Sequence, residues 1–141
     1  LIATGDVTDD DLLPSMSDAA LGVVTAHHYS ASHDSPENKA FVEAFRKANS
    51  NLRPNFMAVH GYDGMRALIE GLKKTNGAGG EALVEAMKGL AWTSPRGPIS
   101  IDPATRDIVQ NVYIRKVERV NGELYNQEFA TIPNVKDPAK K

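Results

Sequence analysis

Residues 108–132 read IVQNVYIRKVERV-NG-ELYNQEFATI, and this stretch constrains the chain more than any other. Asn121-Gly122 is the strongest short signal for a two-residue hairpin, because both positions must tolerate positive φ. The run before it is β-branched with period two. Val112 and Ile114 fall on one face, Tyr113 and Val117 on the other. A ribbon of this kind has two faces and two edges. Edges left open pair with other chains, so something must cover it.

In SPENKAFVEAFRKANS, Ser35 is placed to cap a helix and Pro36 to occupy its first turn, where a missing N–H costs nothing. Phe41, Ala44, Phe45 and Ala48 then make an apolar stripe. A second helix runs through NFMAVHGYDGMRALIEGLKKT, with Ala58, Tyr62, Met65, Ile69 and Leu72 at three- and four-residue steps and Asn76-Gly77 as its stop. Gly61 and Gly64 are expected to allow close packing against a neighbour. GGEALVEAMKGL reads as a shorter third helix. Upstream, LIAT is a strand tail and Leu21, Val23 and Val24 begin another strand. Leu12, Leu13 and Met16 suggest a short helix capped by Asp9 or Asp10. GPISID is a strand, and PNVKDPAKK a polar, fraying tail. The alternation of strands and helices predicts an α/β fold without internal repeats.

The formal net charge is −2, which argues against nucleic acid or an anionic membrane surface as a partner. The absence of cysteine removes disulfides and thiolate metal sites. No apolar run approaches the ~20 residues that span a bilayer. LIA reads as the end of a buried strand, so the chain is expected to be part of a longer polypeptide.

Four acids, Asp6, Asp9, Asp10 and Asp11, stand within TGDVTDDD. They lack the alternation, central glycine and distal glutamate of a calcium loop. Asp9, Asp10 and Asp11 suit a helix start and solvent. His27, His28, His33 and His60 lack the spacing of a zinc helix, and the adjacent His27 and His28 would point to opposite faces of a strand. No metal or cofactor is expected. Tyr62 is assigned to the core stripe and Asp63 to holding a nearby loop. Trp92 reads as packing, and Arg96 as a surface residue or a carboxylate's partner. No nucleophile elbow, phosphate loop or dinucleotide fingerprint is present, so no catalytic residues are assigned and the chain does not read as an enzyme.

The segment DSPENKAFVEAFRKANSNLRPNFMAVHGYDGMRALIEGLKKT resembles the branched-chain-amino-acid-type periplasmic binding proteins, which carry D-S-P-x-N-x-x-F-V and then P-N-x-x-A-x-x-x-Y-D. DAALGVVTAHHYS before it and GLAWTSPRGPISIDPATRDIVQNVYIRKV after it extend the resemblance over most of the chain. The resemblance implies a type I binding-protein fold of two doubly wound α/β lobes, of which this chain is the C-terminal portion. Residues 1–26 would belong to the second lobe, 27–108 to the first, and 109–141 would close the second. It implies a periplasmic solute receptor of an ABC importer, binding an amino acid or related organic or aromatic acid between lobes that close on a hinge. The partners are then that ligand and the importer's membrane subunits. Asp6, in Thr4-Gly5-Asp6, lies at or beside the family's ammonium-binding acid. His28 and Tyr29 lie near a crossing between lobes, where they line the cleft or pack as hinge residues. Taken alone, the chain is expected to form a homodimer or swapped dimer. The alternatives are a sensory ligand-binding domain of the same fold and a doubly wound enzyme.

Overall fold

Six strands and three α-helices make up residues 1–140, the part described by the computed structural model. In chain order they are β1 (Ile2–Thr4), β2 (Val24–His27), α1 (Pro36–Ala48), α2 (Phe56–Lys74), α3 (Gly80–Met87), β3 (Ala91–Ser94), β4 (Gly97–Ile101), β5 (Ile108–Val120) and β6 (Glu123–Val135).

The hairpin forms as its turn dictates. Asn121 and Gly122 have φ of 51° and 90°, and β6 runs antiparallel to β5 from Val120–Glu123 to Gln110–Val135. The tail expected to fray is part of this strand as far as Val135. Lys136 extends the attachment by an ion pair to Asp102 at 2.7 Å.

β5 is the spine of the sheet. Residues 113–116 pair with β2, and residues 108–110 pair with β4. Tyr113 and Gln110 each also pair with β6, so β2 and β4 lie end to end along one edge of β5 and β6 lies along the other. β1 adds in parallel to β2, and β3 adds antiparallel to β4. β3 is a strand that periodicity did not reveal. Its four residues are too few to show a pattern, and its partner is fixed by the tight turn at Pro95–Arg96.

Helix α1 begins as its sequence predicts, with the Ser35 hydroxyl accepting from the Asn38 N–H at 3.1 Å. The Asn55 side chain caps α2 by accepting from the Ala58 N–H at 3.0 Å. The expected helix near Leu12 does not form. The chain there makes three short 3-10 turns, Gly5–Thr8, Leu13–Ser15 and Asp18–Ala20. Leu13 is fully buried while Leu12 is 54% exposed, so the two do not share a face.

The direction of α2 also differs from expectation. Its buried face is Val59, Asp63, Ala67 and Gly71, whereas Tyr62, Met65, Ile69 and Leu72 are exposed. Gly61 and Gly64 face open space. The close packing falls instead at Gly71, where an added Cβ would stand 2.7 Å from Leu83 Cδ1 of α3. A helix that is apolar on both sides is normally sandwiched. Within this chain only one side is covered. Two small cores result: Leu13, Val23, Val117 and Leu124 under the hairpin, and Tyr29, Ala31 and Val59 beside α2. No described helix is long and apolar enough to cross a membrane.

Candidate functional site

The loop after β1 is held against the end of β2. An added Cβ on Gly5 would lie 2.0 Å from His27 Cδ2, so only glycine lets the backbone lie flat on that imidazole. Gly5 is buried and its carbonyl accepts from Arg115 Nη2 at 3.1 Å. This pins the loop and turns the next side chain outward. Asp6 is 73% exposed, with Oδ1 3.4 Å from His27 Nε2. Thr4, the last residue of β1, is exposed beside it, opposite Ala26.

Behind the loop lies a buried polar network. Arg115 is 1% exposed and sits between Tyr113 and Val117 on the inward face of β5. Its guanidinium donates to Thr25 Oγ1 at 3.2 Å, to the Tyr29 carbonyl and to the Gly5 carbonyl. Asp10 lies 3.8 Å away and is also 1% exposed. Asp10 accepts from Asn126 Nδ2 at 3.1 Å and from the Ala31 N–H at 3.2 Å. Asn126 in turn holds the Thr8 carbonyl and accepts from the Thr8 hydroxyl. Burial pushes the Asp10 carboxyl up to about 6 against the opposing pull of Arg115. The expectation that Asp10 serves a helix start in solvent is therefore corrected. A charged residue placed between two inward-facing positions of β5 was the sequence signal for Arg115. Nothing in the sequence paired it with Asp10.

His27 and His28 do not point to opposite faces. β2 ends at His27, the strand alternation stops there, and the two rings stack at 4.3 Å. His60 of α2 stacks on His28 at 4.6 Å, and Phe56 lies edge-on to His27, His28 and His60. Burial, aided by Arg115, lowers His27 to about 4, and burial with the neighbouring imidazoles lowers His28 to about 3. Burial also lowers His60. The array is thus uncharged near neutrality.

His28 lines a cavity of about 390 Å³ together with His60, Trp92, Ile108 and Gln110. Arg96, on its wall, is 4% exposed and not a surface residue. Its Nε donates to Asp63 Oδ2 at 2.8 Å, and its Nη1 donates to Gln110. Asp63 also accepts from Trp92 Nε1 and Ser94 Oγ, so it anchors the β3–β4 turn as its position suggested. Tyr62, assigned to the core, is 47% exposed. Tyr29 has no exposed surface, and its hydroxyl donates to Asn38 Oδ1 at 3.1 Å. A ligand reaches neither its ring nor its hydroxyl in this arrangement. Among the described residues, no group of three His, Asp or Glu side chains is arranged to hold a metal ion.

The mixed α/β sheet threaded by one long strand matches part of the type I periplasmic binding protein fold. The chain belongs to the periplasmic binding protein family, whose sequence profile matches residues 1–123. It is similar to the Leu/Ile/Val-binding protein homolog 6 of Brucella abortus, at 46% identity over 144 residues, covering 100% of this chain and 37% of that protein. It is also similar to a solute binding protein of an ABC transporter from Rhodopseudomonas palustris BisB5, solved with 3,4-dihydroxybenzoic acid. That match has 65% identity and a TM-score of 0.96, and covers 99% of this chain and 39% of the other. A second solute binding protein, from Rhodopseudomonas palustris HaA2 with p-hydroxybenzoic acid, matches at 41% identity with a TM-score of 0.91, again over 99% of this chain and 39% of the other. The chain thus spans 37% of the length of the curated relative.

Proposed function

We propose that the chain is part of a periplasmic solute receptor that captures a small aromatic carboxylic acid between two lobes and presents the closed form to an ABC importer. It carries out no chemistry. The observation that carries the ligand class is the 65% identical solute binding protein holding 3,4-dihydroxybenzoate. The structure of the present chain is compatible with it. Thr4, Asp6 and His28 border the loop and crossing, the uncharged rings of His27, His28, His60 and Phe56 offer aromatic surface, and Gly5 acts through its backbone.

On this proposal residues 1–26 and 109–141 serve one lobe and residues 27–108 the other. β5 then passes between them, since it pairs with β2 at one end and β4 at the other. Ligand contacts that exist only when both lobes approach give the closed form its greater affinity, and that difference drives closure.

A titration calorimetry series on the complete receptor tests the ligand class. Hydroxybenzoates are expected to bind, and leucine, isoleucine and valine are not. Tight binding of a branched-chain amino acid with no response to any benzoate would refute the aromatic assignment.

A further inference from the structure

Arg53 stands in the connection between α1 and α2, yet its side chain is only 2% exposed. It is buried against the start of β6. Its Nη1 donates to the Leu124 carbonyl at 2.7 Å and its Nη2 to Glu123 Oε2 at 2.8 Å. The guanidinium carbon lies 3.7 Å from the centre of the Tyr125 ring, a cation–π contact. The Tyr125 hydroxyl donates to the same Glu123 oxygen at 3.2 Å, and Arg46 Nη2 of α1 stands 4.0 Å from it. Three successive residues of one strand thus receive one arginine.

The neighbouring contacts on β6 are of a different kind. Ser30 donates to the Asn126 carbonyl at 2.7 Å, and His33 bonds Glu128 at 2.8 Å. Those two residues follow closely on β2, which pairs with β5, itself paired with β6. Chain connectivity alone keeps them near the hairpin. Arg53 reaches β6 from beyond α1, a helix of 13 residues, so no short tether holds it there. The other polar contacts from this connection, Asn55 to Asp9 and Asp11, are long, at 3.5 and 3.3 Å. The grip is also one that can be released. Nε of Arg53 is buried without an acceptor among the described residues, and water supplies that bond once the side chain is freed. Glu123 is 55% exposed and returns to solvent at little cost.

We infer that Arg53 is a positioning residue for lobe closure. It clasps the α1–α2 connection of one lobe to the hairpin of the other in the ligand-bound form, and lets go when the lobes part. The inference rests on the receptor and lobe assignment proposed above and extends it to a residue that does not line the His28 cavity. The relative solved with 3,4-dihydroxybenzoic acid matches this chain over 99% of its length, the residues of both proposed lobes included, which favours the bound arrangement as the one that carries the clasp. A contact made only after closure slows ligand release and leaves entry nearly unchanged.

The test uses the complete receptor with 4-hydroxybenzoate: calorimetry for affinity, stopped-flow fluorescence for rates and small-angle X-ray scattering for closure. Arg53→Ala should weaken binding about tenfold, through a faster off-rate at a nearly unchanged on-rate. Arg53→Lys keeps the charge but not the fork, and should recover part of the loss. Glu123→Gln with Tyr125→Leu removes two of the partners and should weaken binding about fivefold; this variant decides if Arg53→Ala does not fold. A lower thermal midpoint with an unchanged off-rate assigns Arg53 to stability alone and overturns the clasp. The ligand class fails separately. If leucine binds and 4-hydroxybenzoate does not, the aromatic assignment falls, and the same rates measured with leucine decide the clasp. A wild-type protein that contracts with neither compound overturns lobe closure and the clasp together.

Discussion

Arg115 decides more than any other single side chain. It is a fully buried cation touching β2, the Tyr29 carbonyl just after it and the Gly5 carbonyl, with Asp10 as its counter-charge. Removing one member of such a pair leaves the other charge buried and unpaired. Arg115→Met in the complete protein is expected to cost about 3–5 kcal/mol in chemical denaturation, and the further change Asp10→Asn should recover part of it. A loss below about 1 kcal/mol would show that the network does not hold the loop. The histidines set the acid limit. His27, His28 and His60 are all lowered in the folded state, so between their ordinary value and the folded one the unfolded chain binds protons that the folded chain does not. Their contribution to stability is therefore present above the ordinary histidine range and is lost as pH falls toward 4. Asp10, raised to about 6, has the opposite slope between the ordinary carboxylate value and 6. Arg115, Arg53, Asp6, Arg96 and Asp63 are the charges that face these groups. With three imidazoles against one carboxyl, the thermal midpoint should fall on acidification from pH 7 to 5. His28→Phe should flatten that fall, and a midpoint that rises instead would contradict the assignment.

At the level of elements, the hairpin and α1 follow from local chemistry. Asn121-Gly122 supplies positive φ at two successive positions, and Gly122→Val should destabilise the ribbon by at least about 1 kcal/mol, seen as a lower denaturation midpoint. No change would mean that the turn is not what sets the register. Ser35 and Pro36 were readable as a helix start because capping involves neighbours in sequence. The acidic loop was not readable in this way. Its acids pattern like a helix N-terminus, yet Asp10 bonds to Ala31 and Asn126, the latter 116 positions away. The two faces of α2 were equally ambiguous. Tyr62, Met65, Ile69 and Leu72 have the period of a core stripe, and so do Val59, Asp63, Ala67 and Gly71. Periodicity finds a face, but a neighbour is needed to say which face is covered.

At the scale of the whole molecule, ten hydrophobic residues are buried among the described residues while fifteen large ones are exposed, and Met57, Met65, Leu68, Ile69 and Leu72 of α2 are among the latter. A run of exposed apolar side chains along one helix marks a face that meets another surface. Relatives of greater length supply the further polypeptide that this face is expected to meet. Expressed alone, the 141-residue segment should associate, and size-exclusion chromatography with light scattering should show a dimer or larger species. Met65→Lys with Ile69→Lys should shift it toward the monomer. A compact wild-type monomer would show that the exposed faces need no cover.

The amino-acid sequence by itself determined the α/β class, the terminal hairpin, the starts of α1 and α2, and the family resemblance. Each is written in residues close together along the chain, where turn geometry, capping and periodicity act. Only the tertiary structure decided that Asp10 and Arg115 form a buried pair, that Gly5 lies on His27, that His27, His28 and His60 stack, and that Tyr29 is fully buried. Those outcomes depend on which distant segments share a neighbourhood. Burial then sets the cost of each charge and the protonation of each imidazole, and burial is a property of the folded chain and not of any short stretch of it.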